Sequence, residues 1–595
     1  MSIRTSPCRI RFKTHVAALA TGVSLIAVLA APSHAANWPA FRGDGSSVSP
    51  DKSLPREWGA EKNVRWRVDL PGRSNGSPIV WGDRVFVAQA VEKDKRRTVM
   101  CFDRRDGKLL WQSGVVYSEP ESSHPDNPNC SGTPATDGER VVACFGSAGL
   151  YCYDFAGKEL WRRDLGKLNH MFGNAISPVI VRDRVVVNFG PGEGARLVAV
   201  DKRTGEIAWE AQPPKVDESE QSMSGPRMSG PAMLVLMSLG GADRNEDGTV
   251  TKDELVGEGD RWFDKLDPQK TGKLTKEQFV ERLGDAMSPP PGAPGGGPKP
   301  GPVIGPGLFA AADADKDGSL TRQELKDMFG GWHAKWSTSK DESPDFNAML
   351  DGLNAFLAPP KKDGPPAAAP PAPAGPAGFG GATGPGGSWS TPLLIHAGHR
   401  DELVVSFPNR LAAYDPKAGT LLWFSKGLPD STQSMPIWDE KTGVLIAAGG
   451  DMSGGTMLAI WAGGRDDVTN ARRAWRQTRM KGSIGTGVVH ERHVYSIASD
   501  GFLLCIDAKT GNRLWQKRLE STGGKGSSWS SILLADGKLY IPNQSGDVFV
   551  VRAAPKFELL ETNSVDEPTN ASLAASDGEL FLRTDKGLWC VGQKK

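Results

Sequence analysis

The sequence predicts a mainly β fold, an eight-bladed β-propeller that carries an inserted α-helical region on Pro/Gly-rich linkers. The first observation is a repeated unit: an apolar strand, a tight polar turn and a second strand that ends on tryptophan, as in FLLCIDAKTGNRLW at Phe502–Trp515. The second is its period, because successive terminal tryptophans stand 40 to 52 residues apart in each half of the chain. Several strands repeated at that spacing are typical of propeller blades.

Each copy of the unit shows the same pattern. Alternating apolar and polar residues predict half-buried strands, and a glycine such as Gly511 supplies the positive φ that a tight turn needs. We expect the tryptophans to pack between blades rather than to stack on a ligand. Units also open alike on a small residue, as at Ser77, Ser177 and Ser530, and counting the openings gives eight blades. The copies end at Trp111, Trp161, Trp209, Trp423, Trp475 and Trp515.

The last unit predicts how the ring closes. It supplies three strands and stops after Trp589, Cys590 and Val591. Near the other end of the chain, Asn63–Leu70 (NVRWRVDL) forms one strand with no neighbour before it. Pairing this strand with the last unit completes a blade and removes two exposed sheet edges.

The first 35 residues predict a signal peptide. A basic start precedes the apolar run Val16–Ala31 and the small-residue site Ser33–Ala35. We therefore expect an exported protein, periplasmic or extracellular, without a membrane span and monomeric. The formal net charge of +1 gives no reason to expect nucleic acid as a partner.

An exported protein can keep disulfides, so its cysteines matter. Cys130, Cys144 and Cys152 fall within one blade, and any two of them could pair. Cys505 and Cys590 are expected to be small buried hydrophobes in strands. No CxxC or CxxCH spacing occurs, which excludes zinc ribbons and covalent haem.

A long insertion interrupts the repeat between Trp209 and Trp423. Two segments in it, Asp243–Glu254 (DRNEDGTVTKDE) and Asp313–Glu324 (DADKDGSLTRQE), fit the twelve-residue calcium loop of an EF-hand. Positions 1, 3 and 5 offer side-chain oxygens, position 7 a carbonyl, and position 12 a bidentate carboxylate. We expect two Ca²⁺ sites. The predicted ligands are Asp243, Asn245, Asp247, Thr249 and Glu254, and Asp313, Asp315, Asp317, Ser319 and Glu324.

Each full loop is followed by a degenerate one. Asp267–Gln278 has Lys270 inside the loop, and its Gln278 cannot supply the bidentate carboxylate. Ser337–Ala348 keeps only the register of a loop. We therefore predict two EF-hand pairs, residues 230–287 and 307–358, each with a functional first loop and a degenerate second loop. Linkers cover 288–306 and 359–387, and the propeller covers 36–222 (blades 1–3 plus the closing strand) and 388–595 (blades 4–8).

The repeats, the opening Asn37–Gly43 (NWPAFRG) and the segment Gly387–Pro392 (GSWSTP) resemble those of exported bacterial proteins with pyrroloquinoline-quinone-like (PQQ-like) propeller repeats. The resemblance implies a propeller over residues 37–595 apart from the insertion. Dehydrogenases of this fold hold PQQ over calcium and, in many, against a disulfide of adjacent cysteines. No cysteines are adjacent here, so PQQ is not expected and no catalytic residue is assigned.

Two functions remain from these patterns. The first is a calcium-binding, non-catalytic scaffold that binds a protein or polysaccharide on one propeller face. It is similar in architecture to the propeller subunit of the outer-membrane barrel-assembly machinery. The alternative is a PQQ-dependent oxidoreductase with an unfamiliar site.

Overall fold

The computed structural model describes residues 37–121, 123–170, 172–192, 194–215, 235, 251–287, 300–336, 353, 387–451, 454–523 and 526–593. The chain divides into two compact units, residues 1–35 and 36–595. The first unit coincides with the predicted signal peptide and lies outside the described residues. Within the described ranges, no helix is long and apolar enough to cross a membrane.

The described chain opens with two strands, and three four-stranded antiparallel sheets follow. The opening strands are β1 (Val48–Ser49) and β2 (Val64–Asp69). The first sheet contains β3 (Ile79–Trp81), β4 (Arg84–Val91), β5 (Arg96–Asp103) and β6 (Leu109–Val116). The second contains β7 (Ala135–Thr136), β8 (Arg140–Cys144), β9 (Leu150–Asp154) and β10 (Glu159–Arg163). The third contains β11 (Val179–Val181), β12 (Arg184–Phe189), β13 (Arg196–Asp201) and β14 (Ile207–Ala211).

The insertion is helical where it is described. Its elements are α1 (Lys252–Leu266), β15 (Lys273–Thr275), α2 (Lys276–Ala286), α3 (Pro300–Ala312), β16 (Ser319–Thr321) and α4 (Arg322–Trp336). They share one hydrophobic core, in which Trp262 and Phe329 meet edge to face with ring centroids 5.2 Å apart.

Five more sheets complete the fold. The fourth contains β17 (Leu393–Ala397), β18 (Arg400–Phe407), β19 (Arg410–Tyr414) and β20 (Leu421–Lys426). The fifth contains β21 (Ile437–Asp439), β22 (Val444–Asp451), β23 (Gly454–Trp461) and, after β24 (Asp466–Asp467) and α5 (Thr469–Arg472), β25 (Arg473–Met480). The sixth contains β26 (Val488–His490), β27 (His493–Ile497), β28 (Phe502–Asp507) and β29 (Arg513–Arg518). The seventh contains β30 (Leu533–Ala535), β31 (Lys538–Pro542), β32 (Asp547–Arg552) and β33 (Leu559–Ser564). The eighth contains the last three strands, β34 (Ala574–Ser576), β35 (Glu579–Arg583) and β36 (Gly587–Val591), together with β2.

These sheets form an eight-bladed propeller, as the sequence predicts. The ring closes through β2, which pairs antiparallel with β36 over Val64–Asp69 and completes the eighth blade. Arg67 on β2 donates from Nη2 to Glu567 Oε1 at 2.7 Å, which ties the two ends of the chain together. The closing strand also supplies the terminal tryptophan of the eighth blade, Trp66, because the last unit has no fourth strand of its own.

Six of the seven terminal tryptophans join their blade to the next one. The indole N–H donates to a backbone carbonyl of the following blade, and in most blades the ring covers the turn glycine there. The covered pairs are Trp66 with Gly107, Trp111 with Gly157, Trp161 with Gly205, Trp209 with Gly419 and Trp475 with Gly511. The expected packing between blades is therefore present. Trp423 differs because the fifth blade has β24 and α5 in place of the tight turn, and its indole donates to buried Glu402 at 2.8 Å.

A second, inner set of contacts joins seven blades. At the start of each inner strand, a buried backbone N–H donates to the hydroxyl of the equivalent residue in the next blade, at 2.9 to 3.1 Å. We call this set the hydroxyl belt. It runs from Met435 through Thr486, Ser531, Ser572, Ser77 and Thr133 to Ser177. The insertion enters the ring directly after this belt ends, between the third and fourth blades.

The segment Trp38–Ser49 contacts residues of six blades at or beside their innermost strands. Arg42 is 1% exposed and donates to the carbonyls of Thr486 and Gly487 at 3.0 and 2.8 Å. Burial lowers the pKa of Arg42 to about 9. The remaining contacts are Trp38 with Val80, Pro39 with Thr136, Gly45 with Leu393 and Met435, and Val48 with Leu534.

The helical region is paired differently from the expected grouping. Strand β15 of the degenerate loop Asp267–Gln278 pairs with β16 of the full loop Asp313–Glu324, with Leu274 opposite Leu320. These two loops stand on either side of the predicted linker 288–306 in the sequence. The expected pair lay within residues 230–287. The reason is α1, whose 15 residues span roughly 22 Å and separate Thr251, near the end of the first full loop, from Asp267, the start of the degenerate loop.

The linker itself is shorter than predicted, since α3 begins at Pro300. Prolines are tolerated in the first turn of a helix, where backbone N–H groups have no partner within the helix. Gly301 and Gly305 let α3 approach α2 closely, because a Cβ at either position would meet Val280 within 3 Å. Close packing against α2 therefore accounts for the glycines at 301 and 305.

Candidate calcium centre

The loop Asp313–Glu324 gathers three carboxylates at one point. It follows α3, contains β16 and ends in the first turn of α4, and Gly318 makes its sharp turn with a φ of 82°. One oxygen from each of Asp313, Asp315 and Asp317 lies within 4.8 Å of the others. Within the described residues, this is the group of acidic, His or Cys side chains that could hold a metal ion.

Hydrogen bonds from the loop backbone hold the three carboxylates in place. Asp313 accepts from the N–H of Gly318 at 3.2 Å, and Asp317 accepts from the N–H of Ser319 at 2.8 Å. Hydrogen bonds from Ser319 also hold the pKa of Asp317 below its usual range. Asp313 Oδ1 is buried and has no hydrogen-bond partner among the described residues. A buried carboxylate oxygen without a donor is suited to a hard cation.

Glu324, the predicted bidentate ligand, is not among the three grouped carboxylates and caps α4. Its carboxylate accepts from the N–H and hydroxyl of Thr321 at 2.9 and 2.7 Å, and from the N–H of Ala314 at 3.2 Å. Burial raises the pKa of Glu324, but these hydrogen bonds outweigh it and lower the pKa overall. The carboxylate is therefore ionised and close to the loop, as a calcium ligand must be.

The first full loop is described only at its end. Thr251 and Glu254 form the same capping box at the start of α1. Asp243, Asn245, Asp247 and Thr249 lie outside the described residues, as does the degenerate loop Ser337–Ala348.

The degenerate loop Asp267–Gln278 keeps the backbone of a calcium loop without its ligands. Lys270 and Lys316 occupy the same position in the two loops, with φ of 55° and 60°, so the lysine inside the loop does not distinguish them. Asp267 does distinguish them, because both of its oxygens accept hydrogen bonds from Thr271 and Gly272. Gln278 caps α2 through Thr275 as Glu324 caps α4.

The sequence patterns did not indicate the role of Lys273. Its Nζ lies 3.3 Å from Asp317 Oδ2 in the neighbouring loop. One feature of the sequence could have indicated this contact. Lys273 stands at position 7 of the degenerate loop, next to Leu274, the apolar residue that pairs with Leu320 of the full loop.

The propeller offers a different set of groups. All six described cysteines are buried and unpaired. Burial raises the pKa of Cys130, Cys144 and Cys152 to about 12, which keeps these thiols protonated. Among the described residues, the triad that could hold a divalent ion lies in the helical region rather than in the propeller.

Several solved structures are similar to this chain. BamB from Moraxella catarrhalis has 10% sequence identity and a TM-score of 0.43, with 89% of this chain and 97% of that chain covered. The quinohemoprotein alcohol dehydrogenase from Comamonas testosteroni has 13% identity and a TM-score of 0.37, with 94% and 81% covered. The computationally designed Ika8 protein has 9% identity and a TM-score of 0.42, with 89% and 100% covered. A comparison with curated proteins finds no match.

Two family models match the sequence. The EF-hand model matches residues 307–329, which include the acidic triad. The model described as outer membrane protein assembly factor BamB matches residues 56–113, 95–241 and 408–581, which together span more than half of the chain. The chain therefore belongs to the BamB family of PQQ-like β-propeller proteins.

Proposed function

We propose that this protein is an exported, calcium-binding propeller that acts as a non-catalytic binding or scaffold module. The observation that carries the calcium part is the triad Asp313, Asp315 and Asp317, with a buried oxygen of Asp313 that has no hydrogen-bond donor among the described residues. The scaffold part is supported by family membership and by a propeller whose described residues are tied to neighbouring blades. Its partner is a protein or a polysaccharide bound on one propeller face.

The proposal includes two calcium sites. Ser319 and Glu324 complete the shell around the triad, Ser319 through its backbone carbonyl. The first full loop would bind through Asp243, Asn245, Asp247, Thr249 and Glu254, since it has the same spacing and the same capping box at its end. The propeller parts are residues 36–222 and 388–595, and the loops 267–278 and 313–324 form the central pair of the inserted region.

The test is calorimetric titration of Ca²⁺ into the full-length mature chain, from which metal has been removed. We expect two sites, and Glu324→Gln should abolish binding at one of them because it removes the bidentate carboxylate. The substitution leaves the helix intact, since Gln278 already makes the same capping box with a neutral amide. Circular dichroism of the variant provides that control. A count of four sites, or none, would contradict the assignment.

The scaffold function and the alternative oxidoreductase function predict opposite results in an assay of substrate turnover. The chain should be incubated with PQQ and Ca²⁺ and assayed against a panel of alcohols and sugars with an artificial electron acceptor. We expect no turnover. Turnover that requires PQQ would overturn the scaffold proposal and leave the calcium sites unaffected.

A further inference from the structure

The two loops joined by β15 and β16 have nearly the same backbone but opposite roles. Gly272 and Gly318 make the sharp turns with φ of 80° and 82°, and Leu274 lies opposite Leu320 in the ladder. One loop has its Asp267 satisfied internally and the other holds the acidic triad. The degenerate loop is therefore positioned to act on its neighbour rather than on an ion of its own.

Lys273 is the side chain of the degenerate loop that contacts the full loop. The residue stands on β15 opposite Thr321, and its Nζ lies 3.3 Å from Asp317 Oδ2. Asp317 occupies position 5 of the full loop, where a calcium loop requires a side-chain oxygen. The ammonium thus contacts a predicted ligand from outside the loop that contains it.

A calcium ion and this ammonium compete for the same carboxylate. Calcium–oxygen distances are about 2.3–2.6 Å, so an ion bound by Asp317 would lie within roughly 6 Å of Lys273 Nζ. Two positive groups at that distance repel each other, and the ion must also displace or share the existing contact. Both effects weaken binding without changing any ligand.

We propose that Lys273 lowers the calcium affinity of the loop Asp313–Glu324, so that the degenerate loop sets the affinity of the functional one. The inference rests on the proposed calcium site. Both side chains are largely exposed, at 61% and 40%, so the effect is moderate and decreases with salt. It would place the site in the range of an ion that varies outside the cell, rather than one that is permanently filled.

The test uses the full-length mature chain carrying Glu254→Gln, which silences the first loop and leaves one site to titrate. Lys273→Met should raise the calcium affinity about 5- to 10-fold at low salt, and Lys273→Glu should raise it further. Lys273→Arg should stay near the parent because it keeps the charge. Lys276→Met is the matched control: it removes the same charge from an exposed lysine that has no ion pair among the described residues, and it should change affinity less than twofold.

Equal or weaker binding by Lys273→Met would overturn the inference while the parent still binds calcium. A parent that does not bind at all would overturn the proposed site itself, which is a separate result. Loss of the difference between Lys273→Met and the parent at about 1 M salt would support the electrostatic cause.

Discussion

Trp161 donates its indole N–H to the backbone carbonyl of Lys202 at 2.9 Å, and its ring covers Gly205 in the same turn. One side chain thus satisfies a polar group and fills an apolar surface of the next blade. The same relationship recurs around the propeller, which explains why the repeat ends on tryptophan and has glycine at a fixed place in its turn.

This contact predicts the effect of Gly205→Ala. The residue has a φ of 71°, and a Cβ there would lie 2.6 Å from the Trp161 ring. Gly166→Ala is the control, since Gly166 also has a positive φ, 90°, but nothing lies within 4 Å of its Cβ position. We expect about 1 kcal/mol of destabilisation at Gly166 and about 3 kcal/mol at Gly205. Thermal unfolding of both variants measures the difference, and equal melting temperatures would contradict the packing argument.

The hydroxyl belt predicts a second effect. Thr133 accepts from the N–H of Ser77 at 2.9 Å and is 2% exposed. Thr133→Val keeps the shape of the side chain but leaves that buried N–H unpaired, which should cost about 1–3 kcal/mol. Thr133→Ser keeps the hydroxyl and should cost clearly less. If the two variants denature at the same urea concentration, the belt does not contribute to stability.

The closing blade should lose stability in acid. Burial raises the pKa of Glu567, but hydrogen bonds from Thr584, Arg67 and Trp589 outweigh it, so the pKa is lowered from 4.5. A carboxyl group with a lowered pKa in the folded state stabilises the fold above its unfolded pKa, and this contribution is lost as pH falls through the folded value.

Glu567→Gln therefore tests the closure as a function of pH. At pH 7 we expect the variant to be less stable by about 2 kcal/mol, because it loses charge-assisted hydrogen bonds to Arg67. As pH falls below 4.5 and through the lower folded pKa, the melting temperatures of variant and parent should converge, since the parent carboxyl then becomes neutral. A difference that stays constant as the parent carboxyl is protonated would show that the charge of Glu567 is not the cause.

The two calcium loops should differ in affinity. Asp313–Glu324 carries four acidic ligands, whereas Asp243–Glu254 carries three, with Asn245 in place of an acid. More ligand charge favours Ca²⁺, so the second loop should bind more tightly, and both sites should be weak, on the order of 10⁻⁴ M or somewhat tighter. Titration of Glu254→Gln and Glu324→Gln separately reports each remaining site. Neither change should alter the unfolding of the propeller, and tighter binding by the first loop would refute the ordering.

The propeller could be predicted from sequence because each blade repeats its own signal. Tryptophan spacing gave the repeat period, the small-residue openings gave the blade count, and a lone strand at Asn63–Leu70 indicated the closure. The hydroxyl belt could not be predicted, because Ser and Thr at strand starts are common in any β protein. Trp66 was not recognised as a terminal tryptophan, since the strand before it in the blade is at the other end of the chain.

The helical region was harder to predict because local motifs do not specify which loops meet. Loop starts at Asp243 and Asp267 are only 24 residues apart, too close for each loop to have two helices of its own. Counting that spacing would have indicated a shared helix, α1, and hence loops at opposite ends of it. The contact between Lys273 and Asp317 depends on this arrangement and could not be read from either loop alone.

The closure of the ring also determines when the protein can finish folding. Arg67 and Glu567 are 500 residues apart in the chain, and their blade cannot form until nearly the whole polypeptide is present. Contacts between distant segments carry a large loop-closure entropy and form slowly. During that interval β2 and its future neighbour both present unpaired strand edges, which makes the unfinished ring the stage most prone to aggregation.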